Sequence, residues 1–303
     1  MAIGDVFEVT AGGCTDVYYV DTGMYDLPEF GSVYVVDAER PAVVDTGIGT
    51  DAERVLAALS EVGIEREEVE VIAPTHVHLD HAGGAGFLAD ACPNADVYVH
   101  SIGAPHLVDP ERLVEGTKRA VGDLWQFYTD PLPVPADRIV ELEDGDAVDL
   151  GDRTLEVHHV PGHAPHQVAF YDRRDGALFA GDAAGKWIPA LDRVAVTTPP
   201  PNFDHELWQA DTQRLLDLDP SVVLYGHFGP RGMPQRVLEA HERVLDDWVT
   251  ATGAARDELG DGDAVVERFV QRSELDEVWP TVNAREEVRM NVEGVLLYHD
   301  RRG

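Results

Sequence analysis

The sequence predicts an α/β protein in which two β-sheets pack face to face, with helices outside and a helical appendage after them. Three observations lead there. Short β-branched or aromatic runs separated by Gly, Pro and Asp turns open the chain, further strands then alternate with helical stretches, and the second half repeats that plan. At 303 residues the chain is one large domain or one and a half, well able to bury a core.

Residues 17–20, 32–36 and 42–44 read as the first strands. Asp45-Thr46-Gly47-Ile48-Gly49 ends a strand and leads into a helix over 51–61, where Leu56, Leu59 and Val62 recur at a spacing of three. Val69, Val71 and Ile72 make the next strand. A second helix runs over about 83–91, closed by Cys92-Pro93-Asn94, and Val97 and Val99 alternate as a further strand. Residues 101–135 are less regular; Trp125, Phe127 and Tyr128 either wall a pocket or pack into the core. Strands at 138–142 and 154–160 flank the turn Asp144-Gly145-Asp146, and residues 167–171 and 177–180 form a hairpin across Arg173-Arg174-Asp175-Gly176. A helix at about 204–218 precedes the strand at 222–225. From Pro234 the character changes: Val237, Leu238, His241, Val244, Leu245, Trp248 and Val249 form an apolar stripe, with further helices near 264–272 and 284–299. This helical part is expected to pack on the core or to sit at the subunit interface of a homodimer, and to carry no chemistry.

The formal charge is −34, from 57 acidic and 23 basic residues, and only Lys118 and Lys186 are lysines. The acid is spread throughout, which fits a solvated surface in a cytoplasm of very high salt, halophilic in style. It argues against nucleic-acid partners, which need a basic patch. The opening residues show neither the cationic start nor the apolar core of a signal peptide, and no apolar run nears the roughly 20 residues that span a bilayer. A cytoplasmic protein with no membrane partner is expected, with Cys14 and Cys92 as free thiols.

The chemistry gathers in Thr75-His76-Val77-His78-Leu79-Asp80-His81-Ala82-Gly83-Gly84. His76 and His78, two apart, project to one side of extended backbone, while Asp80 and His81 follow after the chain turns and address a neighbouring point. That suits two adjacent metal centres better than one. Three more residues that bind metals follow strands: His163 after Val160-Pro161-Gly162, Asp182 after Leu178-Phe179-Ala180-Gly181, and His227 after Val223-Leu224-Tyr225-Gly226. In each case a glycine lets backbone approach closely.

These motifs, His76-Val77-His78-Leu79-Asp80-His81, Pro161-Gly162-His163, Gly181-Asp182 and Gly226-His227, resemble those of the metallo-β-lactamase-fold hydrolase superfamily, in its order. The likeness covers roughly residues 5–235. Gly83-Gly84 and the Pro-Gly-His segment are similar to the glyoxalase II and lactonase branches, and the stretch from Ile102-Gly103-Ala104-Pro105-His106 to His163-Ala164-Pro165-His166 more nearly resembles a group of uncharacterised archaeal and bacterial hydrolases. The resemblance implies an αββα sandwich over 1–235 with a helical extension over 236–303. It implies that His76, His78 and His163 hold one metal and that Asp80, His81 and His227 hold the other, with Asp182 bridging; Asp80 and Asp182 are the carboxylates expected in the catalytic centre. Two divalent ions are implied, zinc by preference, with iron or manganese allowed. A hydroxide shared by two ions about 3.5–4 Å apart would cleave an ester, thioester or lactone of a small molecule. The alternative within the fold is an iron-dependent sulfur (persulfide) dioxygenase, in which the second-site residues would be redundant.

Other residues fall around this set. At most one of His158 and His159 faces the site, and His166 is either a support or a substrate contact. His100, His106, His205, His241 and His299 read as ordinary surface or core histidines. Asp45 is expected to support a ligand histidine. Lys186, which could bind an anionic group, reads more simply as a solvated loop lysine. Ser101 and Ser221 lack activating neighbours, so no serine nucleophile is expected.

Overall fold

A computed structural model describes residues 1–302, and the statements that follow concern those residues. The first sheet runs in chain order through β1 (Val6–Glu8), β2 (Val17–Asp21), β3 (Ser32–Val36), β4 (Ala42–Val44), β5 (Val71–Ala73), β6 (Asp96–His100) and β7 (Ile139–Leu142). Its first four strands are antiparallel neighbours; from β4 onward the pairing is parallel. Parallel pairing needs crossovers, and these are supplied by α1 (Ala52–Val62), then α2 (Leu79–Ala82) with α3 (Ala85–Ala91), then α4 (Ala104–Val108) with α5 (Glu111–Val121).

The second sheet contains β8 (Ala147–Asp149), β9 (Thr154–His159), β10 (Val168–Asp172) and β11 (Ala177–Gly181). A small separate hairpin, β12 (Lys186–Ile188) with β13 (Arg193–Ala195), and the helix α6 (His205–Asp217) come next. Then β14 (Val222–Tyr225) lies parallel to β11, and β15 (Gly229–Arg231) forms the edge. Three helices close the described chain: α7 (Pro234–Leu259), α8 (Gly262–Val270) and α9 (Thr281–Arg302), the first and last of them long.

Alternation along the strands builds the layers. On β4, Ala42 and Val44 face the interior between the sheets, where they meet Tyr34, Val71, Val157, Phe170, Phe179 and Leu224. Val43 points the other way, into a core shared with Val55 and Leu59 of α1 and Leu88 of α3. On the far side Ala169, Leu178 and Val223 meet Leu215 of α6 and Leu238 of α7. The order is therefore helix, sheet, sheet, helix, the αββα sandwich with a C-terminal helical part.

Three expectations change. The predicted helix at 83–91 is split, because α2 already begins at Leu79 and puts Asp80 and His81 on a helical turn. Residues 101–135 are more ordered than their composition implied: α4, α5 and a 3-10 stretch at Gly122–Phe127 fill most of the segment. Gly116 and Thr117 interrupt the sequence pattern of α5 without breaking the helix. In the tail, Val237, Leu238, His241, Leu245 and Val249 are buried as the stripe predicts, whereas Val244 is exposed.

Candidate metal centre

Five strands end at one edge of the sandwich, and each delivers a polar side chain just past its carboxyl end. Asp45 follows β4, His76 follows β5, His163 follows β9, Asp182 follows β11 and His227 follows β14. Close backbone approach is needed twice. A Cβ on Gly226 would collide with the His81 ring, and Gly181, at φ +51°, lies where a side chain would strike Thr75.

The seven histidine and aspartate residues converge. His76 Nε2 lies 3.1 Å and His163 Nε2 3.0 Å from His78 Nδ1. His81 Nε2 is 3.2 Å from His227 Nε2, and Asp80 Oδ2 is 3.5 Å from His227 Nε2. Asp182 lies between the two groups: its Oδ1 is 3.2 Å from His81 Nε2, and its Oδ2 is 3.6 Å from His163 Nε2. Three overlapping clusters could each hold a metal ion, namely His76 with His78 and His163, His76 with His81 and Asp182, and Asp80 with His81 and His227.

The outer hydrogen bonds fix which nitrogen of each ring is bare. His163 Nδ1 donates to the Thr197 carbonyl at 2.8 Å and His227 Nδ1 to the Phe30 carbonyl at 3.1 Å. His81 Nδ1 donates to Asp45 Oδ2 at 2.9 Å. Thr75 Oγ1 donates to Asp45 Oδ1, so it accepts from His76 Nδ1 at 3.1 Å. His76, His163 and His227 therefore turn an Nε2 lone pair inward, and His81 does so in its neutral form. Asp45 acts on two of them, directly on His81 and through Thr75 on His76. The result is lone pairs facing lone pairs, and Asp182 Oδ1 is buried without a hydrogen-bond donor. A cation at that point relieves the repulsion, so the residues fit a bound metal by donor chemistry as well as by proximity.

Electrostatics agree. Burial holds His76, His78 and His163 below their ordinary range, His163 at about 3, so these rings stay neutral and able to ligate. Burial pushes the Asp80 and Asp182 carboxyls upward, but His227 and His81 around them outweigh it and keep both below the ordinary range. His81 moves the other way: burial disfavours its cation, and Asp45 and Asp182 more than compensate. The centre calls for positive charge where His81, His227 and Asp182 meet.

Above the cluster opens a cavity of about 300 Å³, walled by Tyr25, Phe30, Leu113 and Met290 among others. Of the two roles weighed for Trp125, Phe127 and Tyr128 the structure shows packing into a core cluster, and other residues of the 101–135 segment form the wall. α5 walls the cavity, while Tyr128 is buried in the adjoining core and bonds Tyr25 hydroxyl to hydroxyl at 2.7 Å. His166 lines the cavity, its Nδ1 accepting the Val77 amide at 3.4 Å. His106 lines it too, contrary to the ordinary reading. His158 and His159 lie outside it: His159 stacks on His100, and His158 approaches Arg214 and Glu156. His205 pairs with Asp246, His241 is buried against Trp208, and His299 reaches Val249.

One expectation fails here. Lys186 is no solvated loop lysine; it is 5 % exposed, 2.7 Å from Glu287 Oε1 and 5.2 Å above the Phe30 ring. The helical tail reaches the same cavity, since α9 supplies Glu287 and Met290 to its wall. The partner of Lys186 is distant along the chain, so no local spacing marks the pair. Cys14 and Cys92 are buried free thiols, and burial pushes Cys14 up to about 12. No described helix is long and apolar enough to cross a membrane.

The family model described as the metallo-beta-lactamase superfamily matches residues 26–227. The metallo-beta-lactamase fold-containing protein ST1585 of Sulfurisphaera tokodaii is 28% identical over 237 residues, covering 77% of this chain and 85% of that protein. Its crystal structure matches with a TM-score of 0.70, 23% identity and coverage of 93% and 99%, a likeness of fold. The acyl-coenzyme A thioesterase MBLAC2 of Gallus gallus is 27% identical over 257 residues, 78% of this chain and 84% of that one. A hydroxyacylglutathione hydrolase of Synechococcus is 33% identical over 146 residues, 48% of this chain and 44% of that one.

Proposed function

The chain belongs to the metallo-β-lactamase superfamily, and from that premise we propose that it is a metal-dependent hydrolase of small acyl compounds, thioesters first, with esters and lactones within the same chemistry. The observation that carries this reading is the set of three overlapping clusters of histidine and aspartate, from which His78, Asp80, His163, Asp182 and His227 line the cavity. Distant likeness to a thioesterase and to a hydroxyacylglutathione hydrolase supports the choice of thioester.

In this proposal His76, His78 and His163 would hold one divalent cation and Asp80, His81 and His227 a second, with Asp182 shared between the two groups. The imidazole-rich donor set suits zinc and allows iron or manganese. Bound there, such cations supply Lewis acidity, lowering the pKa of a water to about 7 and offsetting charge on the acyl oxygen. The protein contributes orientation. Asp45, Thr197 and Phe30 lock the rings, and Asp80 and Asp182 stay ionised. His166 accepts at Nδ1 and so carries its hydrogen on Nε2, a donor for the leaving group. The division at residue 235 belongs to the same proposal, amended so that the helical part completes the pocket wall.

The test is metal analysis of protein purified without chelator, joined to turnover of matched thioesters, esters, lactones and phosphodiesters in molar salt. Close to two ions per chain and thioester hydrolysis abolished by chelation are expected. A persistent value near one ion, with iron and oxygen uptake on persulfides, overturns the reading.

A further inference from the structure

Acids outnumber bases 57 to 23 in the chain, yet the cavity is lined by three of each. The acids are all engaged: Asp80 and Asp182 lie against the histidines, and Glu287 holds Lys186. Arg112 and Arg119 are not. Among the described residues neither has a carboxylate within ion-pair distance, although most arginines of this acidic protein do. Both lie on α5, seven residues and two turns apart, roughly 10 Å along the axis.

Between them, one turn from each, stands Gly116, which also lines the cavity. A glycine inside a helix lowers its stability, so a packing reason is usually found. Here there is none: a Cβ added to Gly116 would meet no atom within 4 Å, and its backbone is ordinary helix. The wall of the cavity thus presents a bare patch of helix flanked by two unpaired guanidinium groups.

Resting on the acyl-hydrolase reading above, we propose that Arg112, Gly116 and Arg119 form a seat for a phosphate-bearing leaving group. Two guanidinium forks about two turns apart exceed what one carboxylate engages, whereas a chain of phosphates can meet both. In a protein of charge −34 the overall field opposes the approach of an anion, so two unpaired cations at the cavity wall favour it locally.

The experiment compares one acyl group carried on three thiols by the metal-loaded protein: coenzyme A with its phosphates, glutathione with its carboxylates, and neutral N-acetylcysteamine. The wild type should prefer the coenzyme A thioester over the neutral one at least tenfold in kcat/KM, with glutathione between. Arg112→Gln with Arg119→Gln should shrink that ratio below threefold and leave the neutral substrate unchanged; Gly116→Leu should act in the same direction by filling the seat. Calorimetry with desulfo-coenzyme A, which has no thiol to ligate metal, should show at least tenfold weaker binding to the double variant. A preference that is absent, that survives the double substitution, or that falls equally for the neutral substrate overturns the seat, as does unchanged binding. If no thioester is hydrolysed, the thioester reading fails instead, and the calorimetry still decides the seat.

Discussion

Asp182 stands between the two histidine groups. Its oxygens face separate histidine groups, so Asp182→Asn should weaken metal binding at both and lower turnover at least about 100-fold, a loss of roughly 3 kcal/mol of barrier lowering. His227→Ala should empty mainly one cluster. Metal content, circular dichroism and activity on one preparation check both, and retention of two ions with near-normal turnover in Asp182→Asn would refute the bridge. A second residue speaks to stability. Asp51 is buried beside Arg54, 3.0 Å away, and burial pushes its carboxyl from 3.8 up to about 7. The folded state therefore keeps this proton to higher pH than the open chain does. The stability it lends is complete below pH 3.8, falls between there and about 7 by at most roughly 1.4 kcal/mol per pH unit, and is gone above. Asp51→Asn should flatten that decline, as read from unfolding midpoints between pH 4.5 and 7.5; a slope equal to the wild type's would show that Asp51 ionises normally.

At the scale of elements, two helical glycines should respond to the same substitution with opposite sign. Gly116 on α5 faces open space, so Gly116→Ala should stabilise by about 0.5–1 kcal/mol. Gly294 on α9 abuts the Thr198 carbonyl, where Asn291 also bonds Thr198, so Gly294→Ala forces the helix off its seat and should cost about 1–3 kcal/mol. Chemical denaturation of the two variants checks the signs. The same contrast explains what the sequence made legible. Strands with β-branched alternation, and the polar residues directly after them, could be read because strand and side chain are neighbours in the chain. Asp45 could be tied to a histidine by its place at a strand end. The helix α5 was hidden because Gly116 and Thr117 break the periodic signal. Lys186 was misread because what buries it, Glu287 and Phe30, comes from distant segments.

For the molecule as a whole, the charge of −34 sets the conditions of folding. Many arginines already hold acids, for example Arg153 with Asp172 and Arg214 with Asp144, so much of the acid has no internal counter-charge. At 0.1 M salt repulsion reaches about 10 Å, and at 1 M only about 3 Å. Thermal unfolding should show a midpoint at least ~10 °C higher in 2 M than in 0.1 M potassium chloride. A flat profile would separate the acidic surface from stability altogether.

The wall that α9 lends to the cavity has a consequence for how the protein is made. The last of the clustered residues is His227, whereas Glu287 and Met290 follow it by about sixty positions. A ribosome has therefore released every histidine and aspartate of the centre while Lys186 still lacks its carboxylate and the cavity stands open on one side. On the proposed reading the nascent chain would capture metal before it could enclose a substrate, so binding of the ions and onset of turnover would be separated in time by the synthesis of α7, α8 and α9.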